Sequence, residues 1–576
     1  MIILGLNTFH AESSACIIVD GQIIAACEEE RFAYIKNYAG FPKNAIEYCL
    51  KAANLKDIND VDIISINSNK KYNLKEKIKY FIYKIFKINF IPRIIFLRNK
   101  LNIYSVIYDN LKVKYKNKIY YIPHHKSHIA SAFYASGMEE ALGLSFDAAG
   151  DFSTTETYLC NDKKNKLLDK VIFPHSLGIF YQTMTQFIGF KKYGEEFKFM
   201  GLAAYGKPKY VNEIRKLFKE DRKFLFSLDL KYFRHQKIGF SFNFDTPTPN
   251  FDNFYSRELE DLLGPGLNNP ELIGQREMDI AHSTQLVFEE IVINILNKLY
   301  EKYNIKNLVL AGGCAFNSSL NGKIIDKTKF ENIYIPSNCG DAGGALGAAF
   351  DTLFNHDNKN FKRNIMETTS LGPSYSNDEI FEKVVRHLNK NINVRKIDSD
   401  NELFNYLSDK LIDQKVMGWF QGRMEYGPRS LGNRSILADP RNSDMKNIIN
   451  LKIKNRESFR PFAPSILEEK VNQYFYCKHK IPFMNEVIKV KENMIKSVPA
   501  ITHEDGTARV QTVSKKSNNR YYNLIETFYK KTSVPILLNT SLNIQGPICE
   551  KPEDAVELFF KSEIDILVME NWVFEK

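Results

Sequence analysis

One strand, loop and hairpin pattern occurs twice in this chain, and a repeat constrains a fold more than any single motif does. Ile2 to Leu6 form an apolar run, a loop reaches His10, Ala15 to Val19 form a second run, and Asp20-Gly21 turns the chain into Gln22 to Ala26. The pattern returns as the run Leu142 to Phe146, the loop Asp147-Ala148-Ala149-Gly150-Asp151 and the strand Thr157 to Cys160. Acidic and small residues in tight turns between core strands suit two symmetric halves that grip a nucleotide phosphate chain from opposite sides. Two unrelated β-hairpins are the alternative.

The rest of the chain reads as α/β. Apolar residues near helical spacing predict a helix over Asp279 to Tyr303, followed by a buried strand at Asn307 to Ala311. Gly312 and Gly313 then open a turn that lets backbone approach a ligand, and Asn317 offers an amide for a base or ribose. The stretch from Cys339 to Ala349 places Asp341 before a helix of small residues, which must pack against something at close range. A chain of 576 residues exceeds one core. Periodicity fades between Asn355 and Glu367, so we assign 1–354 to a first domain, 355–395 to a linker and the start of a second, and 396–576 to that second domain. There Arg423, Arg429, Arg434, Lys454, Arg456 and Arg460 sit in loops with Gly, Pro and hydroxyls, as bidentate binding of phosphate or carboxylate requires, whereas a solvated surface needs no such turns. Arg509 and Gln511 share one face of a strand that is expected to face a ligand.

Charge narrows the class. Lys and Arg number 79 against 68 Asp and Glu, but residues 70–118 hold fourteen of the bases and only two acids. That segment accounts for the whole excess, which argues against a general nucleic-acid binder and for a charge-balanced enzyme with one basic insertion. The insertion reads as solvated helices, with peripheral contact to anionic lipid as the alternative. Eight cysteines without a CxxC pair read as reduced core thiols. With no apolar run long enough to span a bilayer and no basic leader, a cytoplasmic protein is expected.

Three of the eleven histidines fall within His124-His125-Lys126-Ser127-His128. On a helix His124 and His128 share a face and can hold one divalent ion, with Asp147 and Asp341 completing the shell; iron or zinc suits such a set. A core or surface pair is the alternative. His125 points off that face. His10, in the first interstrand loop, offers a base for an acceptor hydroxyl or a histidine bonded within its own turn. Lys198 stands among apolar residues and glycines, fitting a phosphate contact or a snorkelling lysine.

Taken in order, these motifs resemble the O-carbamoyltransferases of nodulation and antibiotic tailoring. GLNTFHAESSACIIVDG from Gly5, EEERFAYIKNYAGFP from Glu28, HHKSHIASAFYAS from His124, LGIFYQTMTQFIGF from Leu177, FMGLAAYG from Phe199, LAGGCAFN from Leu310 and CGDAGGALGAAF from Cys339 resemble the family's first domain. GWFQGRMEYGPRSLGNRSILADPR from Gly418, KNRESFRPFAPSIL from Lys454, DGTARVQTV from Asp505 and VPILLNTSLN from Val534, which carries Asn539, resemble its second. The resemblance implies an actin-like, ribonuclease H-like duplicated first domain and a second domain similar to threonylcarbamoyl-adenylate synthases. It implies metal ligands at His124, His128, Asp147 and Asp341, usually with iron, and a role for His10 near the transfer chemistry. Lys454 and Arg456 with Ser541 and Asn543 look like the synthase fold's nucleotide-binding tetrad. The implied reaction forms carbamoyl-adenylate from carbamoyl phosphate and ATP, with Mg2+, and passes the carbamoyl group to a hydroxyl of a sugar or secondary metabolite. A homodimer is compatible with this reading and no nucleic-acid partner is expected. The competing functions are tRNA threonylcarbamoyl transfer and a non-catalytic nucleotide-binding scaffold.

Overall fold

The computed structural model describes residues 1–84, 102–219, 225–238, 241–243, 247–356, 361, 365–388 and 392–576. Residues 85–101 of the basic insertion, and 357–360 and 362–364 of the polar stretch, thus lie outside the described residues. The described flanks of the insertion are the helices Leu74–Lys84 and Ile103–Leu111. The chain divides into two compact units, Met1–Asn317 with Ile324–Ile365, and Ser318–Lys323 with Met366–Lys576. The short segment Ser318–Lys323 goes with the later residues; Asn321 Nδ2 donates to the Asn485 carbonyl at 2.8 Å.

The first unit contains the same sheet twice. Strands β1 (Ile2–Asn7), β2 (Ser14–Val19), β3 (Gln22–Glu28), β4 (Ile63–Ile66) and β5 (Lys118–Tyr121) lie in the order β3-β2-β1-β4-β5. β1 runs antiparallel to β2 and parallel to β4. The second set is β6 (Glu140–Gly150), β7 (Ser153–Asn161), β8 (Asn165–Ile172), β9 (Asn307–Ala311) and β10 (Asn332–Tyr334), ordered β10-β9-β6-β7-β8. Here β6 is antiparallel to β7 and parallel to β9, so order and direction repeat strand for strand. This duplicated α/β arrangement agrees with the expectation of an actin-like unit. The central strands are apolar runs because both faces are covered; Leu4, Leu6, Leu308 and Leu310 are fully buried.

Three helices matter for the site: α1 (His124–Phe133), α2 (Gln275–Tyr303) and α3 (Gly343–His356). The small residues of α3 are explained by its neighbours. A Cβ on Gly347 would stand 1.7 Å from the Ser127 carbonyl oxygen of α1, and a Cβ on Gly5 of β1 would stand 2.1 Å from the Ala345 carbonyl oxygen of α3. Helix α3 therefore meets α1 and β1 backbone to backbone, which fixes the histidine-bearing helix against the sheet.

The second unit is built on a nine-stranded mixed sheet. Its strands are β11 (Asn393–Lys396), β12 (Met417–Phe420), β13 (Arg434–Ala438), β14 (Ala463–Leu467), β15 (Glu486–Lys489), β16 (Thr507–Val513), β17 (Ile536–Ser541), β18 (Ile566–Met569) and β19 (Trp572–Glu575). The order is β11-β19-β18-β12-β13-β17-β14-β16-β15. Helices α4 (Asp400–Ile412), α5 (Asn519–Thr532) and α6 (Pro552–Lys561) cover it. One apolar core joins them, with Trp419, Leu407, Leu524, Phe528 and Phe559 buried together. All eight cysteines are free thiols. No helix among the described residues is long and apolar enough to cross a membrane.

Candidate metal centre and anion site

Helix α1 begins at His124, following Pro123, and its first N–H is claimed from a distance. Asp151 Oδ2 accepts the N–H of His124 at 2.9 Å and that of Asn69 at 2.7 Å. A carboxylate at a helix N-terminus satisfies an orphan donor and complements the dipole. One turn apart on this helix, His124 and His128 bring their Nε2 atoms to 3.0 Å. Asp341 Oδ1 lies 3.2 Å from His124 Nε2 and 3.5 Å from His128 Nε2. Asp147 Oδ2 lies 3.3 Å from His128 Nε2 and 3.9 Å from His124 Nε2. All four ligand atoms fall within 4.8 Å of one another. Both imidazoles are buried and both carboxylates nearly so.

Asp147 is not in a free loop as its sequence suggests. Strand β6 continues to Gly150, and its ladder with β7 slips between Phe146 and Gly150, a bulge that re-aims the intervening side chains. Asp147 Oδ1 accepts from Ala148 N–H at 2.6 Å and Oδ2 from Gly313 N–H at 3.0 Å. The Gly-Gly turn serves this carboxylate directly. Gly312 has φ +92°, and a Cβ there would lie 2.3 Å from the Phe146 carbonyl oxygen.

This quartet fits a cation. Two imidazole nitrogens at 3.0 Å can share at most one hydrogen between them, and Asp341 Oδ1 is buried with no hydrogen-bond donor, whereas one cation would satisfy both nitrogens and both carboxylates together. Burial opposes charge on His124, yet Asp341 and Asp147 hold its pKa well above the usual imidazole value. Burial likewise opposes charge on Asp147, but the two imidazoles hold it well below the carboxylate range. Positive charge among these atoms is what the arrangement demands, and two nitrogens with two oxygens suit iron or zinc. His10 stacks on the His124 ring with centroids 5.2 Å apart. Its loop turns through left-handed Phe9 and Glu12, both at φ +57°, and is pinned by Asn7 Nδ2, which donates to the Ala11 and Glu12 carbonyls. Burial, reinforced by the charges of Asp341, Glu30, Glu28 and Asp147, pushes the Glu12 carboxyl well up.

In the second unit the charge problem is reversed. Arg509, on β16, is pushed well down by burial and by the positive charges of Arg429, Arg456 and Arg460. Arg456 is pushed down to about 9 by burial and Arg460. Its Nε donates to Asn450 Oδ1 at 2.7 Å and its guanidinium lies over the Phe462 ring at 4.8 Å. Arg456 Nη2 and Arg509 Nε are buried without an acceptor. Half-buried like charges, with the Arg456 Nη2 and Arg509 Nε donors open, form a cradle for a polyanion, since an anion supplies both the missing acceptors and the compensating charge. The turn carrying Arg429 is held by Glu425, whose Oε1 accepts the N–H groups of Leu431 at 2.7 Å and Asn433 at 2.8 Å. Lys454, 1% exposed, directs Nζ to Asn543 Oδ1 at 2.8 Å and the Asn543 carbonyl at 2.7 Å. Ser541 Oγ donates to Asn543 Oδ1 at 2.7 Å, so three members of the expected tetrad meet while Arg456 turns toward Asn450.

Residues 2–350 match the family described as Carbamoyltransferase N-terminus, and residues 408–576 match Carbamoyltransferase C-terminus. The chain belongs to the carbamoyltransferase family. This carbamoyltransferase is 34% identical over 582 residues to nodulation protein NolNO of Sinorhizobium fredii, covering 99% of this chain and 80% of that one. It is 38% identical over 620 residues to an uncharacterized protein of Synechocystis, covering 100% and 96%. The 3'-hydroxymethylcephem-O-carbamoyltransferase of Amycolatopsis lactamdurans is 31% identical over 239 residues, covering 42% of this chain and 43% of that one.

Other residues singled out in the carbamoyltransferase sequence occupy bracing positions. Asn317 exchanges hydrogen bonds with Gln285, at 2.9 and 3.0 Å. Lys198 pairs with Glu195 at 3.0 Å and lies over Phe190. Arg434 is fully buried, donating to the carbonyls of Gln421, Gly422, Asn433 and Pro373 and stacking on Phe420. Arg423 donates to the Leu371 and Gly372 carbonyls. Asn539 Nδ2 donates to the Ser430 carbonyl, Ser465 Oγ and Gln511 Oε1, tying β17 to the Arg429 turn. Gln511 thus belongs to a buried network, not to an open face. The sequence reading missed Asp151, Gly150, Glu425 and Asn450. Glu425 was findable as a carboxylate before a Gly-Pro turn whose N–H groups need acceptors; Asn450 left no signal.

Proposed function

We propose that this carbamoyltransferase makes carbamoyl-adenylate in its second unit and passes the carbamoyl group to a hydroxyl in its first. The observation that carries the reading is the Arg429, Arg456, Arg460 and Arg509 cradle, where clustered cationic charge and the open donors of Arg456 and Arg509 suit carbamoyl phosphate and a nucleotide triphosphate. Water would release phosphate from carbamoyl phosphate, leaving carbamate. A carbamate oxygen would then bond to the α-phosphorus of ATP as the bond to the β-phosphate breaks and pyrophosphate leaves, its charge met by Arg456 and Arg509. The likeness of this unit to threonylcarbamoyl-adenylate synthases is part of the proposal, supported by the meeting of Lys454 with Ser541 and Asn543, which fixes the end of β17. Pyrophosphate departure also calls for Mg2+ with the ATP.

In the first unit, a divalent ion held by His124, His128, Asp147 and Asp341 would supply Lewis acidity toward phosphate and hydroxyl oxygens. His10, beside His124, accepts the acceptor hydroxyl's proton, and the hydroxyl oxygen bonds to the carbamoyl carbon as AMP leaves. Gly312 and Gly313 preserve the shape of the phosphate-side loop. The acceptor class is a small-molecule alcohol, supported by the cephem relative's name, and the working compartment is the cytoplasm. The test is incubation with ATP and labelled carbamoyl phosphate without acceptor. Wild type is expected to form labelled carbamoyl-adenylate, Lys454→Ala and Arg456→Ala to lose it, and His124→Ala to keep it while losing transfer to an added alcohol. Unchanged adenylate in the Lys454 and Arg456 variants overturns the assignment of the second unit.

A further inference from the structure

Outside both sites, three side chains of the second unit are arranged in series. Cys477 Sγ lies 3.6 Å from His479 Nδ1, and His479 Nε2 lies 2.8 Å from Glu486 Oε2. Glu486, on β15, accepts only if Nε2 carries hydrogen, which leaves the Nδ1 lone pair facing the sulfur. This is the nucleophile, base and orienting-carboxylate relation that activates a thiol. The segment is held in place from both sides, because Tyr476 N–H donates to the Lys489 carbonyl at 3.0 Å and Ile481 N–H donates to Thr512 Oγ1 at 2.9 Å. The Cys477 thiol has a second acceptor, the His479 carbonyl at 3.3 Å, which keeps the sulfur beside the ring.

We infer that Cys477, with His479 as base and Glu486 as orienting group, is a modification site whose thiol reacts with hydroperoxides. The thiol proton passes to His479 Nδ1. The thiolate attacks one peroxide oxygen, a sulfur–oxygen bond forms as the oxygen–oxygen bond breaks, and the departing alkoxide or hydroxide takes the proton from His479. Sulfur is oxidised by two electrons to the sulfenic acid, and the peroxide is reduced by two to an alcohol or water. Cys477 is only 4% exposed, which selects a compact, neutral reagent over a bulky disulfide. The surroundings support the assignment. Once the thiol proton has passed, burial works against charge on His479, but the Cys477 thiolate and Glu486 outweigh it and push its pKa up to about 10, so the proton stays on the ring. Burial pushes the thiols of Cys16 and Cys549 up to about 12, and no imidazole is among the causes that act on either.

The test uses the full chain, hydrogen peroxide and a dimedone trap, with adducts located by peptide mass spectrometry. Cys477 is expected to gain the adduct at least roughly tenfold faster in wild type than in His479→Gln, with Glu486→Gln also slowed and Cys16 and Cys549 unlabelled while folded. Thermal melting establishes that each variant is folded, and Glu486→Gln, which retains an acceptor for Nε2–H, serves if His479→Gln is not. Equal Cys477 rates in wild type and the folded variants, or no Cys477 adduct in folded wild type, overturn the inference.

Discussion

Replacing Gly150 by alanine should empty the metal centre without touching a ligand. The backbone of Gly150 is not left-handed, so alanine meets no conformational penalty there. Its Cβ, however, would stand 1.9 Å from His124 Cδ2, 2.2 Å from Cγ and 2.6 Å from Nε2. Carbon contacts below about 3.4 Å are crowded, so the imidazole must retreat by roughly 1.5 Å. It cannot move freely, because Asp151 accepts the main-chain N–H of His124 at 2.9 Å and so anchors the residue, while His10 stacks on the ring. A metal–nitrogen bond of about 2.0–2.1 Å tolerates only some 0.2 Å of error, so the displacement removes one ligand of four. Metal affinity should fall by more than the roughly 10–100-fold that loss of an outer-shell partner costs. Overpacking should remove about 1–3 kcal/mol of stability. The assay is metal content per chain after loading with Zn2+ or Fe2+, competition against a chelator, and a thermal melt. Gly313→Ala is the graded companion, since its Cβ would lie 3.0 Å from Asp147 Oδ1 and a small shift relieves it. Full metal content and unchanged chelator competition in Gly150→Ala would refute both the quartet and its packing.

Arg509→Met should raise the melting temperature in phosphate-free buffer, because it removes a half-buried charge that desolvation and three neighbouring arginines disfavour, and should abolish stabilisation by added phosphate or ATP; a lower melting temperature with phosphate stabilisation retained would contradict the cradle. Cys477 and Glu486, by raising the His479 pKa against burial, should stabilise the fold on the acid side. The folded pKa of about 10 lies above the unfolded value near 6.5, so the contribution is complete below about pH 6.5 and lost as pH rises through about 10. The difference in melting temperature between wild type and His479→Gln should therefore be greatest near pH 6 and close above pH 10, and a gap that widens with pH would reverse the assignment.

Local spacing was enough wherever one element carries the chemistry. The four-residue interval between His124 and His128 places both rings on one helical face, and the small residues of Gly343 to Ala349 require a close neighbour, whichever fold surrounds them. The repeated strand pattern at Ile2 and Leu142 likewise announced the two sheets of identical order. Contacts between distant residues were not legible in this way. Asp147 and Asp341 become partners because α3 packs backbone to backbone on α1 and β1, and Gly313 becomes a donor to Asp147 because β9 lies parallel beside β6. Nor does the chain alone say that Arg434 braces four carbonyls while Arg456 and Arg509 keep open donors, since all three are arginines near glycine or hydroxyl residues. A side chain's local geometry follows from its immediate neighbours along the chain, but its charge, partners and exposure depend on what the fold brings within a few ångströms, and these set its chemistry.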